Sequence, residues 1–250
     1  MNPRARHLLT GTTLAATLLV GVPALAQAAP TPSTTQPSGA AAQARTDRLD
    51  ELKARCDAAI TRRTTTLDQL GSRVRADTSL PPEVAGPLQS LLTNDTTGLN
   101  ALRGQIDAAT DAATARTGCQ KIVTDYRVYV LVVPQVHLST ASQRELVVAG
   151  RLADAHTKLS DLVAEAAAAG KDVGDADVLL ADLSAKVGDA RTKATPVAST
   201  VLALTPTQYD AGTARPVLQA QHDAVTAARD DLGAAGQDAK QVVQLLRGLR

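Results

Sequence analysis

The sequence predicts an all-α protein, an elongated antiparallel helical bundle of about five long helices with coiled-coil-like seams. Apolar residues recur at steps of three and four from Ala44 almost to the C-terminus. Helix-breaking and capping residues gather between those stretches. The one β-branched run, Val128 to Val133, continues the helical period and has no partner strand.

The chain opens with a segment read as a signal peptide, residues 1–26. Arg4, Arg6 and His7 precede the short apolar run Leu8 to Val20. Val22-Pro23-Ala24-Leu25-Ala26 places small residues where a signal peptidase cleaves, and Ala28 marks an alternative site. The run is short for a membrane span, which takes about 20 residues. No membrane span is therefore expected after cleavage. Residues 27–43, rich in Pro, Ser, Thr and Ala, read as a disordered linker, because they hold too little apolar surface to offset ordering entropy.

The first helix is expected from about Ala44 to Asp77, with Leu49, Leu52, Cys56, Ile60, Leu67, Leu70 and Val74 on its seam. Pro81-Pro82 ends it and starts a short tip helix to Leu92. Thr93-Asn94-Asp95 should close the tip, and Asp95 or Thr96 should cap a second long helix reaching Pro134. Residues 44–133 thus form a helical hairpin stapled by a disulfide. Residues 139–250 form a three-helix segment, joined in one bundle with the hairpin or separate from it.

In that second part Ser142 and Glu145 have capping-box spacing, opening a helix through Val148, Leu152, Leu159 and Leu162. A turn at Gly170 to Gly174 leads to a helix from Ala176 to Leu204. Thr205-Pro206-Thr207-Gln208 is a second capping box, with Pro at the first helical position. The last helix runs from about Leu218 to Leu249. Pro196 and Pro216 should kink or interrupt their helices.

Cys56 and Cys119 are the only cysteines. An exported chain meets an oxidising compartment, where such a pair closes. If the first two long helices are antiparallel, the disulfide sets their register. It then also pairs Leu49 with Tyr126, Leu52 with Ile122, Ile60 with Ala115, Leu67 with Ala109, Leu70 with Ile106 and Val74 with Leu102.

The balance of 26 basic to 25 acidic residues becomes 24 to 25 once Arg4 and Arg6 leave with the signal. Such neutrality disfavours nucleic acid and anionic membranes, which need clustered Lys and Arg. The excess of 19 Arg over 7 Lys, with 3 Asn and 3 Ile, is the usage of a GC-rich genome. Three tyrosines, without Phe or Trp, disfavour sugar and single-strand binding, which rely on stacking faces.

No catalytic motif is visible, and no cofactor or metal is expected. His137, His156 and His222 lack neighbours at ligand spacing, so His156 and His222 read as solvated residues beside a seam. His137 follows Pro134 and is placed either in a turn or in a pocket between the bundle halves. Tyr126, Arg127 and Tyr129 form the one unusual cluster: either a filled core layer or, with His137, an interaction patch.

The run from Cys119 through Tyr129 to His137, and Leu204-Thr-Pro-Thr-Gln-Tyr209 with the Ala-rich helix after it, resemble segments of uncharacterised secreted helical proteins of GC-rich Gram-positive bacteria. The resemblance spans most of the mature chain and implies no activity. The expected role is a non-enzymatic, secreted or cell-envelope-associated helical scaffold or protein-binding module, with an unknown protein partner in the envelope or outside the cell. The alternative is a coiled-coil regulator of cell-wall enzymes.

Overall fold

The computed structural model describes residues 39–249. The expected signal peptide and the linker up to residue 38 lie outside the described residues. Those described are helical, without strands. The helices are α1 (Gly39–Ala76), α2 (Pro82–Asp107), α3 (Ala112–Thr124), α4 (Val133–Ala168), α5 (Gly174–Ala194), α6 (Val197–Leu202), α7 (Pro206–Asp210) and α8 (Ala214–Gly248). A π turn, Val128–Val132, leads into α4. The last residues assigned to the linker, 39–43, are already the first turn of α1.

The bond from Cys56 to Cys119 is present, with the Cα atoms 5.6 Å apart. The antiparallel register built on it is not. The antiparallel partner of α1 is α2: Gln89 donates to the Gly71 carbonyl, Arg103 to Thr61 Oγ1, and Lys53 to the Asp107 carbonyl. As one number rises along these contacts, the other falls. Along α3 and its continuation the numbers rise together: Cys56 with Cys119, Arg63 with Tyr129, Asp77 with Arg144. The disulfide therefore joins parallel helices, and pairs such as Leu70 with Ile106 are not at one level.

The cause is where the chain turns. No break follows Leu92; α2 runs straight through Thr93-Asn94-Asp95 to Asp107. The second reversal comes at residues 108–111, where the Asp111 carboxylate caps α3 by accepting from the Ala113 and Thr114 amides. With two reversals before Cys119 instead of one, α3 points the same way as α1. Lys53 also closes the far end of α2, its ammonium satisfying a terminal carbonyl.

Close approach of α2 and α3 depends on glycine. A Cβ on Gly118 would stand 2.7 Å from Ile106 Cγ1, inside contact distance of a fully packed side chain. Gly118→Ala is therefore expected to destabilise by about 1–3 kcal/mol through overpacking. Gly188, in mid-α5 with open space around it, is the control. Gly188→Ala should stabilise by about 0.5–1 kcal/mol. Paired urea titrations would expose an error if both changes moved the midpoint the same way.

Asp95 is not a cap. It lies inside α2, and its Oδ2 is buried without a hydrogen-bond partner. Burial pushes its carboxyl up to about 6. A folded-state value above the unfolded one means that the native protein holds the proton more tightly. Stability then falls as pH rises from about 4 to about 6. Asp95→Asn should accordingly raise the melting temperature at pH 8, with the gain shrinking toward pH 4. A gain independent of pH would contradict the assignment.

The break expected near Pro134 lies earlier. Arg127 takes the left-handed conformation, φ 45°, and ends the direction of α3. From there the π turn flows into α4, with Pro134 in its first turn, where the missing N–H is harmless. Ser142 and Glu145 do not open a helix. Both are buried inside α4, the hydroxyl donating to the Ser139 carbonyl and the carboxylate accepting from Arg229.

At about 1.5 Å per residue, the 36 residues of α4 span roughly 54 Å. This helix passes through four successive apolar layers. Val136 belongs to the core of α1, α2 and α3; Leu138 packs with Val197, Val201 and Val225. Ala149 packs with Leu183, Val187 and Leu232; Leu159 and Val163 pack with Leu180 and Val242. The two halves are thus joined through one uninterrupted helix. Gln135, 1% exposed, adds a polar clamp by donating to the terminal carbonyls of Val201 and Leu204.

Beyond α1 the bundle is α4, α5 and α8, as the 3-4 stripes predict. Antiparallel α5 and α8 are fixed by Lys186 with Asp238 and Lys193 with Asp231. Parallel α4 and α8 meet at Glu145 with Arg229 and, further along both helices, where Leu159 and Val163 pack with Val242. Gly170, φ 76°, closes α4 in the left-handed conformation. Pro196 does separate α5 from α6, and the Thr205–Gln208 capping box forms with both reciprocal bonds. Pro216, by contrast, falls in the first turn of α8 and interrupts nothing.

Candidate interaction site

The two segments singled out in the sequence, Cys119 to His137 and Leu204 to Tyr209, meet in space. They do so because Arg127 turns the chain toward Asp210 and because Gln135, at the start of α4, holds the Val201 and Leu204 carbonyls just before α7. The Arg127 guanidinium forms an ion pair with Asp210 and lies 5.5 Å from the centre of the Tyr209 ring. Arg215, in the first turn of α8, lies 4.7 Å from the same ring. One phenol thus orients two cations through the negative face of its π system.

The sequence-predicted residues separate into different roles. Tyr126 is half-buried: it packs against the main core, and its ring occupies the space where Gly98 has no side chain. Burial, aided by Asp125 and Asp95, raises its phenol above the ordinary range. It fills a layer of the core. Arg127 supplies the corner and the ion pair. Tyr129 is 46% exposed, with the Arg63 guanidinium 5.1 Å from its ring centre. Val130, 42% exposed, follows it on the π turn, and Val123 is exposed on the last turns of α3.

His137 is not in a turn; it lines an open groove between the end of α1 and α4. It is exposed on α4, on a ridge between two grooves. One groove, about 290 Å³, runs along the end of α1 past Val74 and Asp77. The other, about 380 Å³, lies between α4 and α8. Its walls are Pro134, His137 and Leu138 on one side and Arg215, Leu218, Gln219 and His222 on the other, with Tyr209 and Val130 at one end.

Sequence reading missed Tyr209, Arg215 and His222 as members of this site. Arg215, Gln219 and His222 do share one helical face, at steps of four and three. That spacing names a face without naming what it looks at. Only the parallel placement of α4 and α8 brings His222 to the groove that His137 lines. Among the described residues, no group of three ligating side chains is placed to hold a metal ion.

Chemically the groove offers an apolar floor and a cationic wall. Arg215 forms no ion pair with any described carboxylate, whereas Arg127 is already matched by Asp210. Asp223 stands nearby, accepting from the Gln219 side-chain amide. No family model matches this chain, and no curated protein or solved structure matches it.

Proposed function

We propose that the protein is a non-enzymatic helical binding module that works outside the cytoplasm, released or held at the cell envelope, and engages another protein through the surface around the π turn. The observation that carries this reading is the exposure of Tyr129 and Val130 beside exposed Val123, in a chain with only three aromatic residues. Tyr129 carries the Arg63 guanidinium, and Tyr209, reached by the Arg127 corner, carries Arg127 and Arg215. Tyr and Arg are the residue types that most often dominate binding energy at protein interfaces.

The backbone supports the same reading. A π turn next to a left-handed non-glycine residue is uncommon geometry, and π turns recur at functional sites. Here it lifts Tyr129 and Val130 outward while Val128, Leu131 and Val132 anchor the turn in the core. The exposed side chains therefore sit on a rigid support. The Cys56–Cys119 bond suits an oxidising compartment. No helix among the described residues is long and apolar enough to cross a membrane.

A photo-crosslinker placed at Val130, and at Val148 as a distant exposed control, tests the proposal on intact cells. One protein should be captured from position 130 and not from 148. With that partner purified, Tyr129→Ala should weaken binding by about tenfold or more, as hot-spot truncations do. Equal labelling from both positions would remove the basis for the reading.

A further inference from the structure

The geometry points to a carboxylate-binding groove between α4 and α8, in which Arg215 receives an Asp or Glu side chain of a partner's acidic, apolar segment. This inference rests on the binding role proposed above and names the chemistry of the partner. It is carried by charge complementarity. Arg215 is exposed, is held against the Tyr209 ring at 4.7 Å, and forms no ion pair with a described carboxylate, whereas Arg127 on the same ring is paired with Asp210. A guanidinium already oriented by an aromatic face loses little further freedom on pairing, which favours bidentate contact with a carboxylate.

The surroundings agree with that occupant. His137 and His222 face the same groove from its two walls and supply further donors. Half-buried Pro134 on α4 and Leu218 on α8, above the buried Leu138, offer apolar surface for the residue beside the carboxylate. Thr213 precedes α8 without a side-chain cap, so the positive end of a long helix dipole adds to the field. Of the neighbouring carboxylates, Asp210 is paired with Arg127 and Asp223 accepts from Gln219. A basic segment would instead meet Arg215 with like charge. The groove, about 380 Å³, has room for two or three side chains and none for a helix pair.

Selection of short random peptides on the disulfide-bonded chain, followed by affinity measurement on variants, tests the inference. Enriched peptides should carry Asp or Glu next to Leu, Ile or Val. They should bind Arg215→Gln about tenfold or more weakly, the scale of a charge-assisted hydrogen bond, with partial recovery in Arg215→Lys. Arg215 is exposed, so these variants are expected to keep the circular dichroism of the parent. Acidic peptides that bind Arg215→Gln unchanged would overturn the inference. Neutral or basic peptides that ignore Arg215 but fail on Val130→Asp would overturn it too, while leaving the binding role at the π turn in place. No enrichment on any variant would overturn the groove as a peptide site.

Discussion

Replacing Cys56 and Cys119 with alanine is expected to lower unfolding free energy by about 4 kcal/mol, the chain-entropy value for the 63-residue separation that the bond closes. For a chain of this size that is a fall in melting temperature of roughly 10 °C. The effect is large because the bond ties together the two helices that flank α2 and so closes both reversals in a single loop. Without it, only a moderate apolar core and polar contacts such as Lys53 with the Asp107 carbonyl keep α3 against its neighbours. Reductant should have the same effect on the parent protein and none on the double variant. Thermal melts followed by circular dichroism, with and without reductant, provide the measurement. Identical midpoints would mean that the staple adds nothing.

Leu183→Ala is expected to destabilise by about 4 kcal/mol, toward the upper end of the range for buried leucines. Leu183 has no exposed surface and lies in the middle of the layer formed by α4, α5 and α8. Its neighbours there include Ala149, Ala190, Ala228 and Ala235, with Val187 and Leu232 as the larger side chains. Alanines cannot swing into a void, because their Cβ atoms are fixed to the helix backbones. The cavity would stay open, and the penalty for unfilled volume adds to the lost transfer energy. Leu162→Ala, on an exposed face of α4, should change stability by less than about 0.5 kcal/mol. Urea titration of both variants decides the matter. A loss below about 1 kcal/mol at Leu183 would show that the three helices can close on the gap.

Both results bear on the candidate site, since its parts come from different layers of the molecule. The corner at Arg127 is reached from the stapled helices, whereas Arg215 and His222 ride on α8. Gln135 links them by clamping α4 to the end of α6. Loosening the α4–α8 packing should therefore separate the walls of the groove, and loosening the stapled helices should free the Arg127 corner at its end, before the helices themselves melt. Local opening of this kind draws on the least stable contacts.

Much of the architecture was legible in the residues themselves. The helical period, the Thr205–Gln208 capping box, the stop at Pro196 and the Gly170 turn are local signals, each decided within a few residues of chain. The cysteine pairing was legible too, because two cysteines leave one choice of partner. What local signals lack is direction. An Ala/Leu stripe at steps of three and four reads the same whether its partner runs up or down, so six apolar pairs agreed with an antiparallel register that does not exist. One capping aspartate misplaced from 111 to 95 was enough to reverse α3. The site inherited that ambiguity. Arg127, Tyr129 and His137 stand out as a cluster in sequence, but Tyr209, Arg215 and His222 join them only through the way α8 lies beside α4. Sequence alone determined which segments are helices and which sulfurs join. Packing between distant helices determined which faces meet, because burial rewards any matching apolar stripe and only the whole set of turns and ion pairs selects one.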